Sequence, residues 1–356
     1  MSRIVDLRAR RASSIMYYMS GLEMRGTPKH SVVVPARHDA ALQDFEQSLA
    51  FIQRQFDAET GFPSYLSDYR DFSRPYRSPP EVFTTGIIAQ CLMDAGATSD
   101  TLENCLQLMR RAFNEEGFVH FFQDRALLDA DLDCTAVAHS LCLRLGTGET
   151  RVSQSVDAML TNTNEAGILE VYYRASPEHR GRIDHCVLAN VMYLLCQLQR
   201  FEEAAPSWRC LTEFLKSDAY LFGTRYYPSP DVFLYFVSRL ARDFPGPRAA
   251  LLEPLCQRLL DRQGADTPCF DRALRVAACA NVGLQAGEDL LVVASARRED
   301  GSWAISPFFR YGRTPRYFGS EALSTVVGAQ ALASAASLGT CSVNASLASQ
   351  LGAIAK

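Results

Sequence analysis

The segment TLENCLQLMRRAFNEEGFVHFFQDRALLDADLDCTAVAHSLCLRL, residues 101–145, holds one complete structural period of this chain. It begins with an amphipathic stretch, Thr101 to Phe113, whose charged positions mark a solvent face. A polar turn follows, Asn114 to Phe118, carrying Gly117 and ending on an aromatic residue. After an aromatic-rich loop comes Thr135 to Leu145, with little charge and many small residues. As a helix it is apolar nearly all round and belongs in a core. An outer helix, a turn and an inner helix are therefore expected in that order.

The same turn recurs outward in both directions, at Asp57 to Phe62, Asn164 to Ile168, Phe222-Gly223, Gly264 to Phe270 and Glu299 to Trp303. A spacing of about 35 to 56 residues fits one helix pair plus its connections. Leu42 to Phe56 and Leu251 to Arg262 read as further outer helices; Val82 to Ala95, Cys186 to Gln197, Phe270 to Leu284 and Glu321 to Ser337 read as inner ones. Period-2 alternation is scarce, so strands are expected only as short pieces in the turns. Six turns imply six pairs: an all-α, double-layered (α/α)6 barrel whose inner ring surrounds a cavity, open where the aromatic loops meet the inner helix starts. No linker interrupts the middle, so residues 41–356 are expected as a single barrel domain and residues 1–40 as an extension packing on it.

With 47% hydrophobic residues and a net charge of -4, the chain is neither a disordered nor a nucleic-acid-binding protein. Its 11 cysteines include no Cys-x-x-Cys pair, and many, such as Cys142, Cys196 and Cys279, sit in apolar runs. They read as buried thiols of a reducing compartment. Residues 1–26 carry Arg3, Arg8, Arg10 and Arg11 but no apolar stretch suited to a signal peptide or a membrane span. A cytoplasmic protein is expected, with peripheral membrane contact left open.

The chemistry concentrates in Asp129-Ala-Asp131-Leu-Asp133-Cys134-Thr135-Ala136, just before an inner helix. One reading is helix capping, in which an Asp accepts backbone N–H groups and stabilises the helix by about 1 kcal/mol. The other notes that one cap needs one carboxylate. Two acids two residues apart in a poorly solvated cavity repel when both ionised, so one proton is retained. A protonated acid facing an apolar chamber is what protonating an alkene requires; Asp131 and Asp133 could supply it, and Cys134 could hydrogen-bond it.

The run Asp131-Leu132-Asp133-Cys134-Thr135-Ala136 resembles the Asp-x-Asp-Asp-Thr-Ala motif of class II terpene cyclases. Its Asp-Cys-Thr-Ala form is similar to the oxidosqualene cyclases, in which the aspartate before the cysteine donates the proton; by motif position this implies Asp133 as the donor. The turn Glu299-Asp300-Gly301-Ser302-Trp303 is similar to the Gln-Trp repeats of the same superfamily. A chain of one barrel looks like a monodomain member. The resemblance implies an α/α ring that protonates a terminal alkene or epoxide of a linear isoprenoid or prenylated aromatic acid, drives cation-olefin cyclisation and builds meroterpenoids. No metal or other cofactor is expected, since no Asp-Asp-x-x-Asp run of class I synthases occurs.

Aromatic faces stabilise a passing cation without trapping it. Phe83, Tyr226, Tyr227, Phe233, Tyr235, Phe270, Trp303, Phe308, Phe309, Tyr311, Tyr317 and Phe318 stand at expected mouths of inner helices and are candidates to line the cavity. Ordinary core packing is the other reading for each. His185, Cys186 and Asn190 open the third inner helix after Asp184 and either support the acid or serve as structural hydrogen-bonders. Asp271 and Glu321 open later inner helices as caps, terminating bases or counter-charges. Arg310 and Arg313, amid aromatics, suit a substrate head group. Two other functions remain open. A zinc enzyme on a related ring, such as a lanthionine cyclase or protein prenyltransferase subunit, would draw on Cys134, His139, His185, Cys186 and Cys269. A non-catalytic isoprenoid carrier would keep the cavity alone.

Overall fold

A computed structural model describes residues 37–97, 100–146 and 149–354. Residues 38–356 cluster as one unit. The extension expected over residues 1–40 lies, up to residue 36, outside the described residues.

The described α-helices come in six pairs, the first of each outer and the second inner. They are α1 (Arg37–Gln55) and α2 (Phe83–Asp94), α3 (Asp100–Ala112) and α4 (Leu132–Arg144), α5 (Glu149–Thr161) and α6 (His185–Gln197). Then come α7 (Ala205–Lys216) and α8 (Pro230–Asp243), α9 (Pro245–Arg262) and α10 (Cys269–Val282), α11 (Gly287–Ser295) and α12 (Glu321–Ile354). The inner helices pack side by side in chain order, and α12 packs on α2, so the ring closes. This is the expected (α/α)6 barrel.

The two layers follow from side-chain pattern. In α3 the buried residues Thr101, Leu102, Cys105, Leu106, Leu108 and Met109 recur at three- and four-residue spacing, one stripe of a surface helix. In α6 every residue from Cys186 to Cys196 is buried, as a helix between two layers requires. The fourth inner helix, α8, hides its pattern from sequence because it carries Asp231, Arg239 and Arg242. All three are held in ion pairs: Asp231 with Arg262 (2.7 Å) and Arg275 (3.0 Å), Arg239 and Arg242 with Asp94 (3.4 and 3.1 Å).

The recurring turns share one construction. Gly61, Gly117, Gly167, Gly223, Gly264 and Gly301 all have positive φ, between 68° and 85°. At Gly61 a Cβ would also stand 2.3 Å from Thr85 Oγ1. Asn114 Oδ1 accepts the N–H groups of Glu116 (3.0 Å) and Phe118 (2.8 Å), and Asn164 repeats this on Ala166 and Ile168. The next N–H then bonds a hydroxyl of an inner helix: Phe62 to Thr85, Val119 to Thr135 and Trp303 to Thr325. Each such bond pins a turn to the start of an inner helix, where the site forms.

Short strands occur in the connections, as expected. β1 (Tyr65–Ser67), β2 (Tyr76–Arg77), β5 (Pro307–Arg310) and β6 (Tyr317–Gly319) form an antiparallel sheet in the order β2-β1-β6-β5. The β1–β6 pairing, Leu66 opposite Phe318, ties the first connection to the last. Ser48 of α1 reinforces the closure by donating to Gly301 O (2.7 Å). β3 (Val119–His120) pairs with β4 (Ala130–Asp131), Val119 opposite Asp131.

Candidate active site

Both readings of the acidic segment hold, divided between its residues. Asp131, extended at φ -126°, is the N-cap of α4, and its Oδ1 accepts the Cys134 N–H (2.7 Å). Thr135 clamps this geometry by donating to Asp131 O (2.6 Å) while accepting from Val119 N–H (2.9 Å). Asp133, one residue into the helix, is no cap: its side chain meets Asn190 Nδ2 of α6 at 2.8 Å through Oδ1, and the Tyr227 hydroxyl through Oδ2. The Cys134 thiol is buried beside the pair, and burial, then the charges of Asp131 and Asp133, push it up.

Asp131 and Asp133 are only 5% and 7% exposed. Burial, and then the charge of Asp131, push Asp133 up to about 8, against the contrary pull of hydrogen bonds from Tyr227 and Asn190. Burial also raises Asp131, to about 6. Asn190 donates to one oxygen of Asp133, and the Tyr227 hydroxyl bonds the other.

The acid opens onto a cavity of about 220 Å³. Its walls include Phe83 of α2, Phe121, Leu128, Val171, Tyr172, Val187, Tyr226, Tyr227, Phe309, Tyr311 and Phe318. Phe83, Phe121, Phe309 and Phe318 meet mostly edge to face, with Phe83–Phe309 centroids 5.8 Å apart and Phe121–Phe318 5.4 Å. Of the aromatic residues singled out from sequence, Phe83, Tyr226, Tyr227, Phe309, Tyr311 and Phe318 are therefore brought to the cavity.

The others are not. Phe233 turns outward to Phe214 and Tyr220. Tyr235 bridges from α8 to Gln330 of α12 (3.1 Å) and Cys91 of α2 (3.5 Å), filling the ring's interior. Trp303 wedges against Gly328, where a Cβ would come within 2.6 Å, and its Nε1–H donates to Val293 O. Phe308 and Phe270 form a layer behind Tyr227. Tyr317 is absent from the wall. A helix start can present an aromatic ring to the axis or to the outer layer, and these took the second course or stacked one layer deeper. Phe121 and Tyr172 were missed because they lie in loops well before the inner helices; the aromatic pairs Phe121-Phe122 and Tyr172-Tyr173 were the available signal.

The third inner helix divides similarly. Asn190 reaches the acid, and Cys186 is buried one turn before it on the same helix. His185 does not: its ring stacks on Phe214 (3.6 Å, 5°) and its Nε2 meets Cys210 Sγ, toward the outer layer. The neighbouring Asp184 does more than its position suggested, capping α6 through Cys186 N–H and accepting Tyr226 N–H at 2.9 Å, which seats the Tyr226-Tyr227 loop over the acid. Asp271 lies in a separate small pocket with Arg70 and Ser229, and Glu321 pairs with Arg298 (2.5 Å). Neither is a wall residue of the main cavity.

Arg310 and Arg313 do line the cavity, joined by Arg182 and Arg225. Arg310 also clamps the loop, donating to Arg225 O (3.0 Å) and Thr224 O (2.8 Å). Among the described residues none of the four arginines is ion-paired to a carboxylate. The residues weighed for zinc do not converge: His139 Nε2 bonds Gly117 O (3.0 Å) and His185 faces Cys210. Among the described residues no helix is long and apolar enough to cross a membrane. Cys91, Cys105, Cys134, Cys142, Cys186, Cys196 and Cys279 are buried, whereas Cys210, Cys256 and Cys269 are only partly so.

Residues 80–198 match the model of the sesquiterpene cyclase astC-like C-terminal domain. A drimenol cyclase of Aspergillus calidoustus is 27% identical over 204 residues, covering 57% of this chain and 38% of that protein. The chain thus spans well under half the length of that relative. A variant of the type II terpene cyclase MstE from Scytonema, solved with geranylgeranyl dihydroxybenzoate, superposes with a TM-score of 0.64 at 14% identity, covering 86% of this chain and 100% of the other. An ent-copalyl diphosphate synthase from Streptomyces platensis gives a TM-score of 0.51 at 13% identity, covering 72% of this chain and 51% of the other. The fold is that of these helical-barrel cyclases, and the resemblance to terpene cyclases read at Asp131 to Ala136 extends over residues 80–198.

Proposed function

We propose that this chain is a class II terpene cyclase that protonates the terminal alkene or epoxide of a linear isoprenoid and guides the resulting cation through ring closure. The observation carrying it is Asp133: a buried carboxyl on the wall of an aromatic-lined cavity, pushed up to about 8 by burial and by the charge of Asp131. Asp133 donates its proton to the less substituted carbon of the terminal alkene, leaving a tertiary cation, or to the oxygen of a terminal epoxide. Asn190 and Tyr227 donate hydrogen bonds that stabilise the carboxylate left behind, and Asp131 seats the helix start. The rings of Phe83, Phe121, Phe309 and Phe318 stabilise the cation through their faces and offer no nucleophile. A mere carrier would gain nothing from burying two acids.

For substrate, about 220 Å³ lies below the ~300–1,000 Å³ typical of small-molecule sites, which favours a short chain over a thirty-carbon one. The sesquiterpene cyclase family model points the same way, to fifteen carbons. Arg182, Arg225, Arg310 and Arg313 suit an anionic head group, whether a diphosphate or the carboxylate of a prenylated aromatic acid. The test is incubation of purified protein with farnesyl diphosphate, linear prenylated benzoates and squalene, read by mass spectrometry. A cyclised fifteen-carbon product from wild type, absent with Asp133→Asn, supports the reading. Retained cyclisation by Asp133→Asn defeats it.

A further inference from the structure

A cyclisation that begins by adding a proton to an alkene and ends in a neutral alkene must give a proton back. The cavity therefore needs a base as well as an acid. Its arginines are cations, burial pushes up the hydroxyls of Tyr172, Tyr226 and Tyr227 and the thiol of Cys134, and Asp131 and Asp133 share the acid end. Tyr311 and Thr314 offer only hydroxyl oxygens, and among the wall residues His179 alone carries an imidazole lone pair.

We propose that His179, held by Asp129, is the base that ends the cation cascade. Resting on the cyclase reading above, the step balances as follows. The C–H bond beside the final cationic carbon breaks, its electron pair becomes the C=C double bond, and the proton passes to His179 Nε2. Asp129 Oδ2 accepts from His179 Nδ1–H (2.7 Å), from Ser176 N–H (3.0 Å) and from the Ser176 hydroxyl (2.7 Å). Burial opposes charge on Asp129, but these donors outweigh it and hold its carboxyl below the usual range. A carboxylate on Nδ1–H fixes the tautomer that leaves the lone pair on Nε2, and it stabilises the imidazolium once formed. The ring is held flat by stacking on the wall residue Tyr172 (4.6 Å, 23°). The side chain is 15% exposed, so the collected proton has a route to bulk water. Asp129 is the outermost carboxylate of the segment that carries the acid, and the capping and donor roles of Asp131 and Asp133 leave it unused. On this assignment residues 129–133 anchor both ends of the proton's path.

The test uses the full-length protein and a substrate that wild type converts through Asp133. His179→Phe keeps a ring to stack on Tyr172 but has no lone pair. It should still consume substrate, within about tenfold of wild type, while the alkene's share of product falls at least about tenfold, a lost base being worth ~10²–10⁴. Water-quenched alcohols and alkenes with displaced double bonds replace it. Asp129→Asn, which removes the charge behind the base, should move the ratio the same way by less. An unchanged product ratio in a folded His179→Phe overturns the assignment, as does a wild-type product that is already an alcohol. A variant slowed without a change of ratio marks His179 as structural and overturns it too. Should His179→Phe not fold, the ratio from Asp129→Asn decides. Turnover surviving in Asp133→Asn, or a wild type inert toward every isoprenoid, instead removes the cyclase reading itself.

Discussion

Two buried aspartates at opposite ends of the inner ring are shifted in opposite directions. Asp94, the last residue of α2, has a side chain wholly shut from solvent, and Asp133, in the first turn of α4, nearly so. Burial alone would raise both. Around Asp94 stand Arg144 at 2.7 Å, Arg242 at 3.1 Å and Arg239 at 3.4 Å, and their charges hold it well below the usual carboxylate range. Among the described residues Asp133 forms no ion pair, and with burial and a second carboxyl close by it is pushed up to about 8. The helix dipole would favour the reverse, charge at the start of α4 and none at the end of α2, but it contributes only ~0.3–1 kcal/mol at exposed sites and is outweighed here. Neighbours, and not depth, separate a structural carboxylate from an acid.

The largest effect should come from Asp133→Asn. Loss of the proton donor predicts a fall in cyclisation rate of about 10³-fold or more, measured by product formation under saturating substrate. The fold should survive, because the Tyr227 hydroxyl can turn from donor to acceptor to meet the new amide. Asp94→Asn should do the opposite. Removing the anion leaves buried Arg239 unpaired, and a cost of about 3–5 kcal/mol in urea unfolding is expected, with the folded fraction still active. If Asp94→Asn instead lost activity at unchanged stability, the contrast between the two ends would be wrong.

The pH dependence sharpens the same contrast. The donor works only while protonated, so cyclisation should decline as pH rises through about 8. Stability carries the matching sign. Between the ordinary carboxyl value near 3.8 and about 8 the folded chain holds a proton that the unfolded chain has released, so the Asp133 contribution falls as pH rises across that window. Asp133→Asn should flatten this slope and gain stability over wild type at pH 8, seen as a rising difference in melting temperature. An identical slope in both proteins would mean that Asp133 is ionised throughout.

The ring was legible because five inner helices are uncharged along most of their length, and α8 escaped notice because Asp231, Arg239 and Arg242 interrupt it. Those charges find partners on α9, α10 and α2, contacts between residues distant in sequence that no local window holds. The acid was legible because Asp131 and Asp133 lie two residues apart in one segment. Its environment was legible only in part: Asn190 is one turn from a helix start and was singled out, whereas His179 and Arg182 occupy a loop without periodicity. Phe233 and Tyr235 are two residues apart on α8, so one turns to the outer layer and the other to the ring's interior. Sequence marks both as buried but does not fix the helix rotation that separates a wall from a core.

The smallest of these effects, and the finest test of the acid end, is Tyr227→Phe. The hydroxyl donates to Asp133 Oδ2 and so favours the charged form, while the ring packs against Phe83 (6.4 Å) and Phe308 (5.6 Å) and keeps its place without the oxygen. Its loss should raise the Asp133 pKa further and leave the departing carboxylate less stabilised. A hydrogen bond to a charged group is worth about 1.5–3 kcal/mol, so the rate should fall by roughly ten- to a hundredfold, less than for Asp133→Asn. The alkaline decline in activity should at the same time move to higher pH. A slower enzyme whose pH profile had not moved would show that Tyr227 shapes the cavity without tuning the acid.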